Sequence, residues 1–160
     1  MESNEQVLVA ADAAMIIRHI SSAQERLAVL APAVSMDVGR AICDRWIALG
    51  PDRVSVTLDV DPEVYRLGYG DESALTLLEE TGQEVGSLLQ CQPGIRIGVI
   101  VADESVLIFA PVPELIEAGP RSPKQPTGVL LTKSIPVVDD ALGVGGGGVE
   151  VFSKVVDRVT

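Results

Sequence analysis

Two segments of this chain alternate apolar and polar residues with a period of two, a pattern that commits them to strands with one face buried. Val54, Val56, Leu58 and Val60 alternate with Ser55, Thr57, Asp59 and Asp61, and Ile95, Ile97, Val99 and Val101 repeat the pattern. Segments of helical period lie around them. Asp12 is placed to cap a helix carrying Ala13, Ile16, Ile17 and Ile20. Leu27, Val29, Leu30 and Ala31 form a short apolar run stopped by Pro32, which reads as a buried strand. Ser35 then caps a second helix with Val38, Ala41, Ile42, Trp46 and Leu49 inward, stopped at Gly50-Pro51. After the first alternating strand, a loop at Gly68-Tyr69-Gly70-Asp71 opens a third helix with Leu75, Leu77 and Leu78, which Gly82 is expected to end or interrupt. Residues 84–90 fit a helical turn or a short strand equally. The second alternating strand and the run Val106 to Ala110, joined by Ala102-Asp103-Glu104-Ser105, read as a β-hairpin. Strand–helix–strand units followed by a hairpin predict an α/β domain: a mixed β-sheet with flanking helices.

Beyond Pro113 the texture changes. Pro120, Pro123 and Pro126 punctuate a polar stretch, and a glycine-rich run spans Gly143 to Gly148. The expected organisation is an α/β domain over residues 1–118, followed by a Pro/Gly-rich linker and C-terminal tail over 119–160. That tail reads as a docking arm or as the stub of a longer polypeptide. Gly143-Val144-Gly145-Gly146-Gly147-Gly148 satisfies the spacing G-x-G-x-x-G, but no strand signal precedes it, so it reads as a flexible linker.

Charge narrows the function classes. The 23 acidic residues against 12 basic ones give a net charge of −11. Such a balance argues against nucleic-acid binding by phosphate neutralisation and against adhesion to an anionic membrane. Glu2 and Glu5 stand where a secretory signal would carry basic residues, and no apolar run approaches the ~20 residues of a membrane-spanning helix. A cytoplasmic protein is expected. Cys43 and Cys91 are too few and too far apart for a disulfide framework or a zinc site, and read as buried or half-buried thiols. Eight acids between Asp59 and Glu84 face Arg66 alone. This run reads as a solvated face; Asp59-x-Asp61-x-Glu63 lacks the rest of a calcium loop, so neither a metal nor any other cofactor is expected.

The order of elements and the text GIRIGVIVADESVLIFAP resemble the phospholipase D-like superfamily, and ISSAQERLAVLAP resembles that family's first helix and strand. The resemblance covers residues 12 to 113, one half of a two-motif enzyme. In that family a late strand carries His-x-Lys-x4-Asp, with a hairpin after the Asp. Aligning its Asp on Asp103 sets Arg96 at the histidine position and Gly98 at the lysine position. The family's histidine attacks phosphorus. An arginine stays protonated and offers no lone pair for that attack, and a glycine supplies no cation to the transferring phosphoryl oxygens. Phe109-Ala110-Pro111 also occupies the place of the family's downstream Ser and Asn. The resemblance therefore implies a phospholipase D-like half-domain with a degenerate, non-catalytic motif.

What remains is a set of candidate ligand-binding residues: Arg96, Asp103, Gly68, Tyr69 and Gly70. Arg96 reads as a surface ion-pairing residue or as an anion grip that outlived the chemistry, since arginine takes phosphate or carboxylate in a bidentate fork. Asp103 suits a hairpin turn on structural grounds alone. Gly68 to Asp71 follow a strand and open a helix, where ligands of open α/β sheets bind; equally, Asp71 there can simply cap the helix. The lone histidine, His19, reads as a half-exposed helix residue. The expected function is a non-catalytic ligand-binding or regulatory module, part of a larger sensor or regulator. Its expected partners are a small anionic or sugar-like ligand and a second copy in a homodimer. The alternatives are a self-association scaffold and a phosphodiesterase with relocated catalytic residues.

Overall fold

The computed structural model describes residues 6–113 and 127–132. Among these residues, seven strands form one sheet: β1 (Gln6–Val9), β2 (Leu27–Ala31), β3 (Val54–Leu58), β4 (Gln90–Cys91), β5 (Gly98–Ala102), β6 (Ser105–Phe109) and β7 (Gly128–Leu131). Their order is β1-β7-β6-β5-β2-β3-β4. β2, β3 and β4 run parallel, joined by helical crossovers, while β2–β5, β5–β6, β6–β7 and β7–β1 are antiparallel. This is the mixed sheet with flanking helices expected from the sequence.

The helices are α1 (Ala13–Ser21), α2 (Met36–Leu49), α3 (Pro62–Leu67) and α4 (Glu72–Val85). All five residues of β2 are buried, because β2 sits between β3 and β5 and both its faces contribute to apolar clusters. On the helix-bearing face, Leu27, Val29 and Ala31 meet Ile100 and Ala102 of β5 and the inward residues of α1, α2 and α4, with Trp46 fully buried among them. The other face holds a smaller cluster of Ala28, Leu30, Ile95, Val99, Val101 and Val106.

Caps begin and end the helices largely as the sequence indicates. The Asp12 carboxylate accepts from the Met15 N–H at 2.9 Å, and the Ser35 hydroxyl accepts from Val38 at 3.4 Å. Gly82 does not end α4. The helix runs on to Val85, and Gly86, at φ 83°, closes it in the left-handed conformation. Gly82 instead lets α4 approach α2: a Cβ there would lie 3.0 Å from the Trp46 ring and 2.5 Å from the Ser87 carbonyl oxygen. Residues 84–90 resolve accordingly, Glu84 and Val85 finishing the helix and Gln90 beginning β4.

Three further differences matter. β5 begins at Gly98 and not at Ile95, because its pairing starts at Gly98–Phe109 with β6 and at Val99–Leu30 with β2; Arg96, outside both ladders, reaches sideways. Residues 128–131, within the stretch read as linker and tail, supply β7, which fills the sheet between β1 and β6. The glycine-rich run lies outside the described residues. His19 is not half-exposed but buried, its ring Nε2 2.9 Å from the Ile100 carbonyl oxygen. That contact requires the proton on Nε2.

Burial holds the His19 imidazolium disfavoured, pulling its pKa below the usual 6.5 despite hydrogen bonds to the Ile100 and Ser105 backbone that favour the charged form. The folded state therefore resists a proton that the unfolded chain accepts. Stability is fully present above pH 6.5 and declines as the pH falls below that value toward the folded pKa. Urea midpoints compared at about pH 8 and about pH 5 should show this decline, and His19→Leu should flatten the part of it that lies above the carboxylate range.

Candidate functional site

A cleft of about 310 Å³ opens on the helix-bearing side at the C-terminal end of β2. Val29 and Ala31 of β2 and Ile100 of β5 form its floor. Asp12, Ala13 and Ile16 from the start of α1 make one wall, and Val34, Ser35 and Val38 at the start of α2 make another. Tyr69 borders it, and Phe109 at the end of β6 with residues 110–112 after it closes the remaining side. Two helix N-termini and the carboxyl end of a strand thus converge where ligands of α/β sheets bind.

The loop carrying Tyr69 is held there by its neighbours. Gly68, at φ 92°, ends α3 in the left-handed conformation. Gly70 lies flat against α2's approach: a Cβ would sit 2.5 Å from both the nitrogen and the carbonyl oxygen of Val34. The Asp71 N–H donates to the Val34 carbonyl at 3.0 Å, and the Asp71 carboxylate accepts from the Met36 N–H at 2.9 Å. Asp71 therefore caps α2 and makes no side-chain cap for the helix it precedes. The freedom of both glycines goes into a turn and a close backbone approach, and it is Tyr69 that reaches the cleft.

Arg96 is anchored beside this loop. Its Nη1 donates to the Asp59 carboxylate at 2.9 Å and to the Ile95 carbonyl oxygen at 2.7 Å, and its guanidinium lies 5.4 Å from the centre of the Tyr69 ring. Asp59 is the hub of this corner. Its side chain is only 2% exposed, against 44% for Arg96, and it also accepts the N–H groups of Asp61 at 3.1 Å and Gly94 at 2.9 Å. The sequence flagged Asp59 only as a member of an acidic run. In the fold that run disperses into separate tasks: Asp61 caps α3, Glu63 pairs with Arg66, and Asp71 caps α2. Among the described residues, no group of three His, Cys, Asp or Glu side chains could hold a metal ion.

Asp103 lies elsewhere. The antiparallel register pairs Leu27 with Ala102, which sets Asp103 beside the start of β2, whereas Arg96 lies past the other end of the same strand pair. About 17 Å of strand separates the two ends. The Asp103 carboxylate accepts from the N–H groups of Gln24, Glu25 and Arg26 at 2.7 to 3.1 Å, while its backbone exchanges a hydrogen bond with Arg26 at φ 56°. Burial alone would raise its pKa, but the three N–H donors outweigh that and hold the carboxyl below its usual range. The structure thus brings Arg96 and Tyr69 together and leaves Asp103 as the clamp between the hairpin and the 24–26 turn.

At Gly98, which the sequence resemblance aligns with the motif lysine, a side chain has no room. Gly98 is paired directly with Phe109 across the β5–β6 ladder, and a Cβ on Gly98 would clash with three carbons of the Phe109 ring. The ring covers the glycine, and Phe109 also lines the cleft. Burial raises the pKa of both cysteines, Cys43 more deeply placed and Cys91 at the surface, so neither stands as a ready thiolate. Tyr65, its hydroxyl buried, is pushed up to about 12 by burial and then by the carboxylates of Glu79, Asp59 and Glu72.

No family model and no curated protein matches the chain. Among solved structures it is similar to Nuc from Salmonella typhimurium, a phospholipase D family member, with a TM-score of 0.55 at 12% identity over 87% of this chain and 89% of that one. That likeness shows a phospholipase D-like fold. A second similar structure is TrmBL2, an archaeal chromatin protein described with a novel mode of DNA binding. It matches with a TM-score of 0.44 at 15% identity, over 83% of this chain and 47% of that one. No helix among the described residues is long and apolar enough to cross a membrane.

Proposed function

We propose that this domain binds a small ligand in the cleft at the end of β2, on a phospholipase D-like fold from which the phosphoryl-transfer machinery is missing. The observation that carries the reading is the pair Gly98–Phe109. The space a phosphate-gripping lysine would need is filled by an aromatic ring that also lines the cleft. Arg96 supports the same reading. It has no lone pair for attack on phosphorus, and Asp59 already answers its charge. A binding module that reports to a partner or to another part of a longer protein fits these features, with Tyr69 as the ligand contact and Arg96 as the residue that steadies its ring.

A thermal-shift screen tests it. A ligand at 100 times its dissociation constant stabilises the native state by ~2.7 kcal/mol, which in a domain of this size raises Tm by roughly 5–10 °C. The expected outcome is at least one class of small molecule that produces such a shift and loses it in a variant with a bulky residue in the cleft, Ala13→Trp. A broad library of sugars, phosphates, organic acids and amines without a single hit contradicts the reading.

A further inference from the structure

We infer that the cleft is built for a small apolar amine: a hydrocarbon or aromatic body with one ammonium group. This rests on the reading of the cleft as a ligand site and names what that site selects. The walls are almost wholly apolar, from Ile16, Val29, Val34, Val38 and Ile100 to the Phe109 ring, and the polar side chains among them belong to Asp12, Ser35 and Tyr69. Asp12 is the charged one. Its Oδ1 accepts the Met15 N–H, and among the described residues its Oδ2 receives no hydrogen bond.

Charge complementarity decides between ligand classes. The N-termini of α1 and α2 each contribute about +0.5 of an elementary charge. Asp12 on the first and Asp71 on the second offset them with a full negative charge apiece. Arg96, the cation an anionic ligand would need, is not part of the cleft wall, and its Nη1 is engaged by the buried Asp59 carboxylate. A carboxylate or phosphate would therefore enter a net negative mouth above an apolar floor. A sugar would leave most of its hydroxyls unpaired against that floor. An ammonium on an apolar body meets an acceptor at the mouth and apolar surface below it.

Phenethylamine, 2-phenylethanol and phenylacetate, matched in size, together with inorganic phosphate, separate these cases by protein-observed NMR titration of the whole chain. The amine is expected to bind at least about tenfold more tightly than the alcohol, with no saturable binding of phenylacetate or phosphate. Asp12→Asn retains a good helix cap and should erase the advantage of the amine over the alcohol, while Ala13→Trp should abolish binding of both. Tighter binding of phenylacetate or phosphate, no binding of the amine, or an amine affinity indifferent to both variants overturns the inference. In each case any ligand, phenylacetate and phosphate included, whose binding Ala13→Trp abolishes leaves the ligand-binding reading standing; without one, both fall.

Discussion

Trp46→Ala should lower the stability of the domain by about 3–5 kcal/mol, among the largest effects of any single substitution. Trp46 is fully buried and spans the contact between α2 and α4, with its ring directly against Gly82. Truncation removes the ring from a site bounded by the backbone of α4 at Gly82, which has no side chain to fill the space left behind. Trp46→Phe should cost much less. It keeps most of the apolar volume and removes a buried indole N–H that has no partner among the described residues. Urea unfolding of the three proteins checks both statements. Equal destabilisation by Ala and Phe would contradict the packing described for this helix pair.

Asp59→Ala should cost about 3 kcal/mol and loosen the loop that leads into β5. The carboxylate is the common acceptor for Arg96 and for the N–H groups of Asp61 and Gly94, so its loss leaves three donors to find water. Arg96→Met is the informative companion. It removes the cation but leaves Asp59 with two backbone donors, and since the arginine side chain is 44% exposed its charge is screened, so a loss of about 1 kcal/mol is expected. Denaturation midpoints should rank wild type, Arg96→Met and Asp59→Ala in that order. A larger effect from Arg96 than from Asp59 would make the arginine the centre of the corner.

The sheet's central strands were legible because each carries its own signal. The apolar run of β2, the alternation of β3 and the hairpin of β5 and β6 need no partner to be recognised. The outer strands β1 and β7 have four residues each, and only their mutual pairing and the open edge of β6 make them strands. α3, six residues long, has too few apolar positions to show a helical period, and its signs are local ones only: Asp61 as cap, Pro62 at the first helical position and Gly68 just past the end. At the candidate site, sequence could bring out Arg96 and Tyr69, but not their joining through a turn that leaves the ladder. Asp59 was hidden for a different reason. A buried carboxylate that organises backbone donors looks, in sequence, like one more acid in an acidic run. Asp103 drew notice because the resemblance aligns it with a motif residue, and only the register of β5 on β2 reveals how far it lies from Arg96.

The central claim, that the cleft holds a ligand without cleaving phosphodiesters, is tested most directly by turnover of bis(p-nitrophenyl) phosphate by the whole chain, wild type and Arg96→Ala side by side. The account predicts no rate above buffer for either protein. Wild-type turnover that disappears in Arg96→Ala would contradict it.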